Sequence, residues 1–139
     1  GNIRLLCLQI LLHLADHRLL MQSSQPFLTR TQAALAKKAQ EILLTDLSRH
    51  ISAARIAASL SVSETSLKNY FRSVYGMNLS TYLNHKRMEL AAKLLSESDQ
   101  NISDIARACG YVNQGRFAKV FKDFYHMKPL DYRRNKHLP

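Results

Sequence analysis

A chain of 139 residues holds one ordinary domain, or two small ones sharing a core, and its 46% hydrophobic content is enough to bury one. Lys and Arg number 20 against 10 Asp and Glu, a formal net charge of +10. No run of about 18 uninterrupted apolar residues occurs, which excludes a spanning helix. The two cysteines, Cys7 and Cys109, offer neither a disulfide framework nor a metal knuckle and fit a reducing cytoplasm. With no Trp, four Gly and three Pro, breakers are scarce, and an all-α fold is expected. The charge is uneven. Residues 1–46 carry five Lys and Arg against three Asp and Glu, whereas residues 47–139 carry fifteen against seven. A region that basic points to a polyanion: DNA, RNA or an anionic membrane face. The plain alternative is a soluble basic protein with no such partner.

Residues 3–21 read as an apolar helix, with Leu5, Leu8 and Leu12 beside Ile3, Leu6, Ile10 and Leu14. So broad an apolar surface calls for a partner. Arg4 and the run after it imitate a signal peptide, but Gln9 and His13 interrupt it, and an internal helix exposed by truncation is expected. His13 and His17 stand at a metal-ligand spacing, yet Leu14 occupies the place a metalloprotease gives to Glu and no third ligand is evident, so no metal is expected. Residues 1–28 thus form a helical extension or linker ending in a polar connector with Pro26. Thr29 with Gln32 fits a capping box, starting a helix predicted over 30–48 with Leu35, Ala39, Ile42 and Leu43 inward.

The next stretch, 51–76, predicts a support helix over 53–60 and a second helix over 63–75, capped by Ser63 and closed by Gly76 in a left-handed conformation. Glu64, Thr65, Ser66, Lys68, Asn69 and Arg72 face outward. Glu64 repels phosphate unless it meets a cytosine amine or a Lys. One long helix is predicted over 79–97, with Tyr82, Leu83, Leu90, Ala91, Leu94 and Leu95 inward. At about 1.5 Å per residue it is a rod of about 28 Å, near the pitch of DNA at about 34 Å. An internal ion pair, with Asp104 as the candidate partner, is the favoured role for Arg87 over a DNA contact.

Residues 102–134 then repeat the arrangement: a short helix, a turn at Gly110, a second helix, and a closing turn at Pro129. Ala57 followed by Ser61 is answered by Ala106 followed by Gly110, and Leu67 with Phe71 by Phe117 with Phe121. The offset grows from 49 to 50, so the later turn holds one extra residue, Val112. Cys109 falls on the apolar side as a small buried hydrophobe. Gln114, Arg116, Lys119 and Lys122 lie on the other faces of the second helix, the form that enters a DNA major groove. The plain alternative is a helical hairpin with a solvated basic face. Lys128, Arg133, Arg134 and Lys136 make a basic end, solvated or bound.

From about Leu47 to Arg134 the chain resembles the DNA-binding domain of the AraC/XylS family of bacterial transcription regulators. The resemblance is carried by Ile56-Ala57, Ser63, Leu67, Phe71, Gly76, Tyr82-Leu83, Arg87, Ala91 and Leu94-Leu95. It continues through Ile102, Ile105-Ala106, Gly110-Tyr111, Phe117, Phe121-Lys122, Pro129 and Tyr132-Arg133. Three positions depart from the family pattern: His126 stands for Gly, and Lys119 and Asn69 each stand for Arg. The resemblance implies two helix-turn-helix subdomains, 29–78 and 98–139, joined by a linker helix at 79–97, that bind double-stranded DNA in successive major grooves. It further implies Thr65, Ser66, Asn69, Gln114, Gly115, Arg116 and Lys119 as base contacts, and Ser63, Arg72, Asn113 and Lys122 as phosphate contacts. A separate effector or dimerisation domain, RNA polymerase as a partner and an activator role follow by the same analogy, with a cytoplasmic, nucleoid-associated location, no cofactor and no membrane.

Two rivals make different demands. A non-specific nucleic-acid-binding helical protein would use the same charge without reading bases, but the Tyr and Phe residues sit mostly at core spacings and leave no stacking platform. An enzyme would need a phosphate loop, an acid pair or an activated nucleophile, and none is evident, so no catalysis is expected.

Overall fold

The computed structural model describes residues 28–136. Seven helices and no strand occur among them: α1 (Arg30–Thr45), α2 (Ala53–Ser59), α3 (Glu64–Tyr75), α4 (Leu79–Glu97), α5 (Ile102–Ala108), α6 (Gln114–Tyr125) and α7 (Pro129–Lys136). The all-α expectation holds. The apolar run at 3–21, with Cys7, His13 and His17, lies outside the described residues.

Side-chain caps set most helix starts, because the first amides of a helix have no partner within it. Thr29 and Gln32 form the expected capping box, each side chain accepting from the other's backbone N–H at 3.1 Å. Ser52, Ser63, Asn78, Asn101 and Asn113 each accept an N–H in the first turn of the helix that follows. α1 stops at Thr45, three residues short of the predicted end. Asp46 turns extended there and its carboxylate accepts both the amide and the hydroxyl of Ser48, a local bond that competes with another helical turn. Those bonds, ahead of nearby Arg49, hold the exposed Asp46 carboxyl below its ordinary value.

Two hydrophobic cores form on the one long helix. Ala39, Leu43, Ile56, Ala57, Leu67 and Phe71 join Leu79, Tyr82 and Leu83 of the first half of α4. Met88, Ala91, Ala92 and Leu95 of its second half join Ile105, Ala106, Cys109, Phe117 and Phe121. The seam falls between Leu83 and Met88.

The repeat runs further than the sequence suggested. Phe71 meets Tyr82 edge-on at 5.3 Å and 83°, and fifty residues later Phe121 meets Tyr132 at 5.4 Å and 82°. The Phe71–Tyr75 and Phe121–Tyr125 pairs also match, at 4.6 and 4.7 Å. Lys86 lies 5.6 Å over Tyr82, as Lys136 lies 5.6 Å over Tyr132. α7 is therefore the counterpart of the first half of α4. The expected closing turn at Pro129 is in fact the start of this helix, with Pro where a missing N–H costs nothing. Arg133 fastens α7 to the end of α4: Nε donates to the Leu95 carbonyl at 3.1 Å, and Nη2 donates to those of Ser98 and Gln100 at 3.2 and 2.7 Å. It is a structural residue rather than a solvated end.

The expected turn at Gly110 and its repeat counterpart at Ser61 both use left-handed backbone. Ser61 has φ of 57° and Gly110 of 84°. Val112, the extra residue, is fully exposed. The ends of α3 and α6 repeat this at Gly76, φ 75°, and His126, φ 63°.

Arg87 departs from expectation. It makes no ion pair with Asp104. Its Nε donates to the Leu47 carbonyl at 2.9 Å and its Nη2 donates to the Arg49 carbonyl at 3.2 Å. Both acceptors lie in the connection between α1 and α2, which ends in polar backbone that α1 does not use.

Candidate nucleic-acid interface

α3 and α6 have the same construction. Each buries two residues four apart, Leu67 with Phe71 and Phe117 with Phe121, all four fully buried. That spacing gives each helix one apolar side and leaves the rest of its surface polar. Their positions are those a helix-turn-helix gives to its second, groove-entering helix.

On α3, Thr65, Asn69 and Arg72 are exposed and Ser66 is half-buried. The Ser63 hydroxyl accepts the Ser66 amide at 3.1 Å and donates to the Ser66 hydroxyl at 2.8 Å, so both serines are engaged in the cap. Glu64 meets a Lys within its own helix: Lys68 pairs with it at 2.9 Å. The outer face of α3 is partly neutralised by that pair, leaving Arg72 as its remaining cation.

On α6, Gln114, Gly115, Arg116, Lys119 and Lys122 are all exposed. Asn113 caps the helix through the Arg116 amide at 3.0 Å. A Cβ at position 115 would lie 3.2 Å from that same Asn113 oxygen, so glycine there gives the cap room. Among the described residues no carboxylate pairs with Arg116, Lys119 or Lys122. Tyr111 supports the start of this face. Burial pushes its hydroxyl up, while the cations of Arg87 and Arg116 pull the other way.

Each unit has a hollow beside its outer helix, and the two hollows are repeat partners. Glu64, Lys68, Asn78, Leu79 and Ser80 line the first; Gln114, Ala118, Lys128, Pro129 and Leu130 line the second at the same places. The second adds Lys119, Lys122 and Arg134, with Asp131 as its one carboxylate. Lys128 and Arg134 thus continue the basic face of α6, which their places in the chain left open. The fold across the α6–α7 turn is what brings them there.

Among the described residues no group of three His, Cys, Asp or Glu side chains could hold a metal, and no helix is long and apolar enough to cross a membrane.

A family model described as a helix-turn-helix domain matches residues 56–135. The activator RhaR of Yersinia pseudotuberculosis is 44% identical over 70 residues, 50% of this chain and 24% of that protein. The chain spans roughly a quarter to a third of the length of the curated relatives it matches. Among solved structures, the C-terminal domain of AraT, a response regulator from Geobacillus stearothermophilus, has a TM-score of 0.71 at 27% identity, covering 76% of this chain and 88% of that one. An AraC-type regulator from Chromobacterium violaceum shares the fold at a TM-score of 0.70 and 22% identity, over 80% and 99% of the two chains. The chain belongs to the AraC-type family of helix-turn-helix DNA-binding transcription regulators.

Proposed function

We propose that this chain is the part of a bacterial transcription regulator that reads a specific double-stranded DNA site, laying α3 and α6 in successive major grooves on one face of the duplex. The observation that carries this reading is the matched pair of outer helices, each held by the same aromatic cluster and each presenting a polar face. Thr65, Ser66 and Asn69 of α3, and Gln114, Gly115, Arg116 and Lys119 of α6, are the proposed base contacts. Arg can hold guanine with two hydrogen bonds, and a good pair of this kind discriminates by about 1–3 kcal/mol. Ser63, Arg72, Asn113 and Lys122 are the proposed phosphate contacts, through side chains or the first amides of each helix. The Glu64–Lys68 pair weakens the attraction of α3 for phosphate, so α6 supplies more of the binding energy. The two readers belong to units 29–78 and 98–139, carried on the helix 79–97.

RhaR is named as an activator, and an activator role with RNA polymerase as a partner is proposed here on that likeness. The matched segments make up only 29% and 24% of two of those relatives, which supports an effector or dimerisation domain in the whole protein.

Selection of binding sites from random duplex DNA tests the reading. The expected winner holds two short blocks about one helical turn apart. It is bound far more tightly than scrambled DNA across a salt series. No enriched site, with an equally steep salt dependence on every sequence, would leave only a non-specific nucleic-acid binder.

A further inference from the structure

We infer that Arg87 is a positioning residue that fixes the relative orientation of the two DNA-reading units, and so selects the spacing between the two half-sites. The inference rests on the two-groove reading above and adds to it the residue that sets the span.

The two cores share no buried side chain. The first ends on α4 at Leu83 and the second begins at Met88. Between them the helix carries Asn84, His85, Lys86 and Arg87. Of these only Arg87 is buried, and it is the one buried charged residue among those described, at 7% exposure. Long cationic side chains are seldom buried without a partner that holds them.

The guanidinium touches both units at once. Toward the first, it donates to the carbonyls of Leu47 and Arg49, forty and thirty-eight residues away in sequence. Leu47 itself packs on the first core. Toward the second, the guanidinium carbon lies 5.9 Å from the centre of the Tyr111 ring, which packs on the second core. It also lies so close to the turn between α5 and α6 that a Cβ at Gly110 would come within 2.7 Å of it. A planar guanidinium with several fixed donors holds two carbonyls in a set direction, whereas an ammonium offers a point charge on a flexible stem. Arg87 therefore ties the α1–α2 connection to the α5–α6 turn across the seam. Without it the units are joined by helix α4, which like other long helices need not stay straight, and by the close approach of Gly110 to the Leu47 carbonyl, which has no directed side-chain bond to hold it.

The test uses the 139-residue chain with Arg87→Lys and, as a second variant, Arg87→Met, which fills the same space without a buried charge. Duplexes carry the two selected blocks at the preferred spacing and at one or two base pairs more or less. Each added base pair rotates the second block by about 35° around the axis. The unaltered chain is expected to lose about tenfold or more per base pair of misplacement. In the variants that loss shrinks to about threefold or less, while affinity for the second block alone stays within about twofold. Spin labels at Ser73→Cys and Asp123→Cys, repeat partners on α3 and α6, in a Cys7→Ser background, give an independent measure. Their distance distribution is expected to broaden when Arg87 is replaced. An equal loss at every spacing, with the optimum as sharp as before and the distance distribution unchanged, would overturn the inference and leave Arg87 a structural residue. An unaltered chain indifferent to spacing would remove the two-groove reading, and this inference with it.

Discussion

Gly110 sits directly against Arg87: a Cβ built on the glycine would lie 2.7 Å from both Cζ and Nη2 of the guanidinium and 2.8 Å from the Leu47 carbonyl oxygen. Gly76 has nearly the same left-handed backbone, φ 75° against 84°, but a Cβ there meets nothing within 4 Å. The pair separates two costs of replacing glycine. Gly76→Ala is expected to lose about 1 kcal/mol, from backbone strain alone. Gly110→Ala adds a collision with backbone and a held side chain, for a total of about 3 kcal/mol. Urea unfolding of both variants measures the difference; equal losses would mean that Arg87 and the Leu47 carbonyl both give way freely.

The other two left-handed positions carry side chains. His126 closes α6 where Gly76 closes α3, and Ser61 stands where the later turn has Gly110. His126→Gly and Ser61→Gly are each expected to stabilise the fold by about 0.5–1 kcal/mol, since relief of strain exceeds the added freedom of the unfolded chain. Thermal melts check this. A lower melting temperature for His126→Gly would show that the imidazole makes a compensating contact.

Base reading and phosphate attraction can be told apart by their dependence on sequence and salt. Arg116→Ala is expected to lose about 1–3 kcal/mol on the selected site and to relax preference at one position. Lys122→Ala is expected to weaken all sequences alike and reduce the salt slope by about one. Binding titrations on selected and scrambled duplexes decide it. Identical behaviour of the two variants on every sequence would refute the assignment of α6 as the base reader.

Cys109 is fully buried, and burial pushes its thiol up to about 11, with Arg87 pulling back only in part. The fold favours the protonated thiol, so its stabilising contribution is complete below the ordinary thiol value of about 9. It is lost as pH rises from there through about 11, because only the unfolded chain releases the proton in that window. In a Cys7→Ser background, a thiol reagent near neutral pH is expected to modify Cys109 only as fast as the protein opens. Rapid labelling of the native state would contradict the burial. Cys109→Ala is expected to show a shallower fall of stability above pH 9, the remaining slope arising from Tyr75, Tyr111 and Tyr125, whose hydroxyls burial also pushes up.

Much of this arrangement can be read from the chain because its signals are local. Thr29 with Gln32, Ser63 as a cap, Gly76 as a stop and Val112 as the added turn residue each act within four positions of themselves, and spacing shows them. The outward faces of α3 and α6 follow from two apolar residues four apart. Arg87 and Arg133 are different. Their partners are backbone carbonyls more than thirty residues away, and every residue but the acceptor's geometry is silent about a carbonyl. An ion pair with Asp104 was the natural expectation for Arg87 because carboxylates, unlike carbonyls, can be seen in a sequence. Helix α7 was hidden for another reason: at eight residues it has no full apolar period to detect. Only its likeness to the start of α4 betrays it.

The uninterrupted run of α4 from one core into the other couples length to phase. One residue inserted between Leu83 and Met88 would advance everything after it by about 1.5 Å and also turn it by about 100°. A base pair added to a duplex turns the far site by only about 35°. The two screws do not share a pitch, so the helix cannot be lengthened step by step to follow a target whose halves drift apart. A change of span has to come from altered contacts at the seam, and a chain built this way tolerates substitution in its outer helices far more readily than any insertion in its shaft.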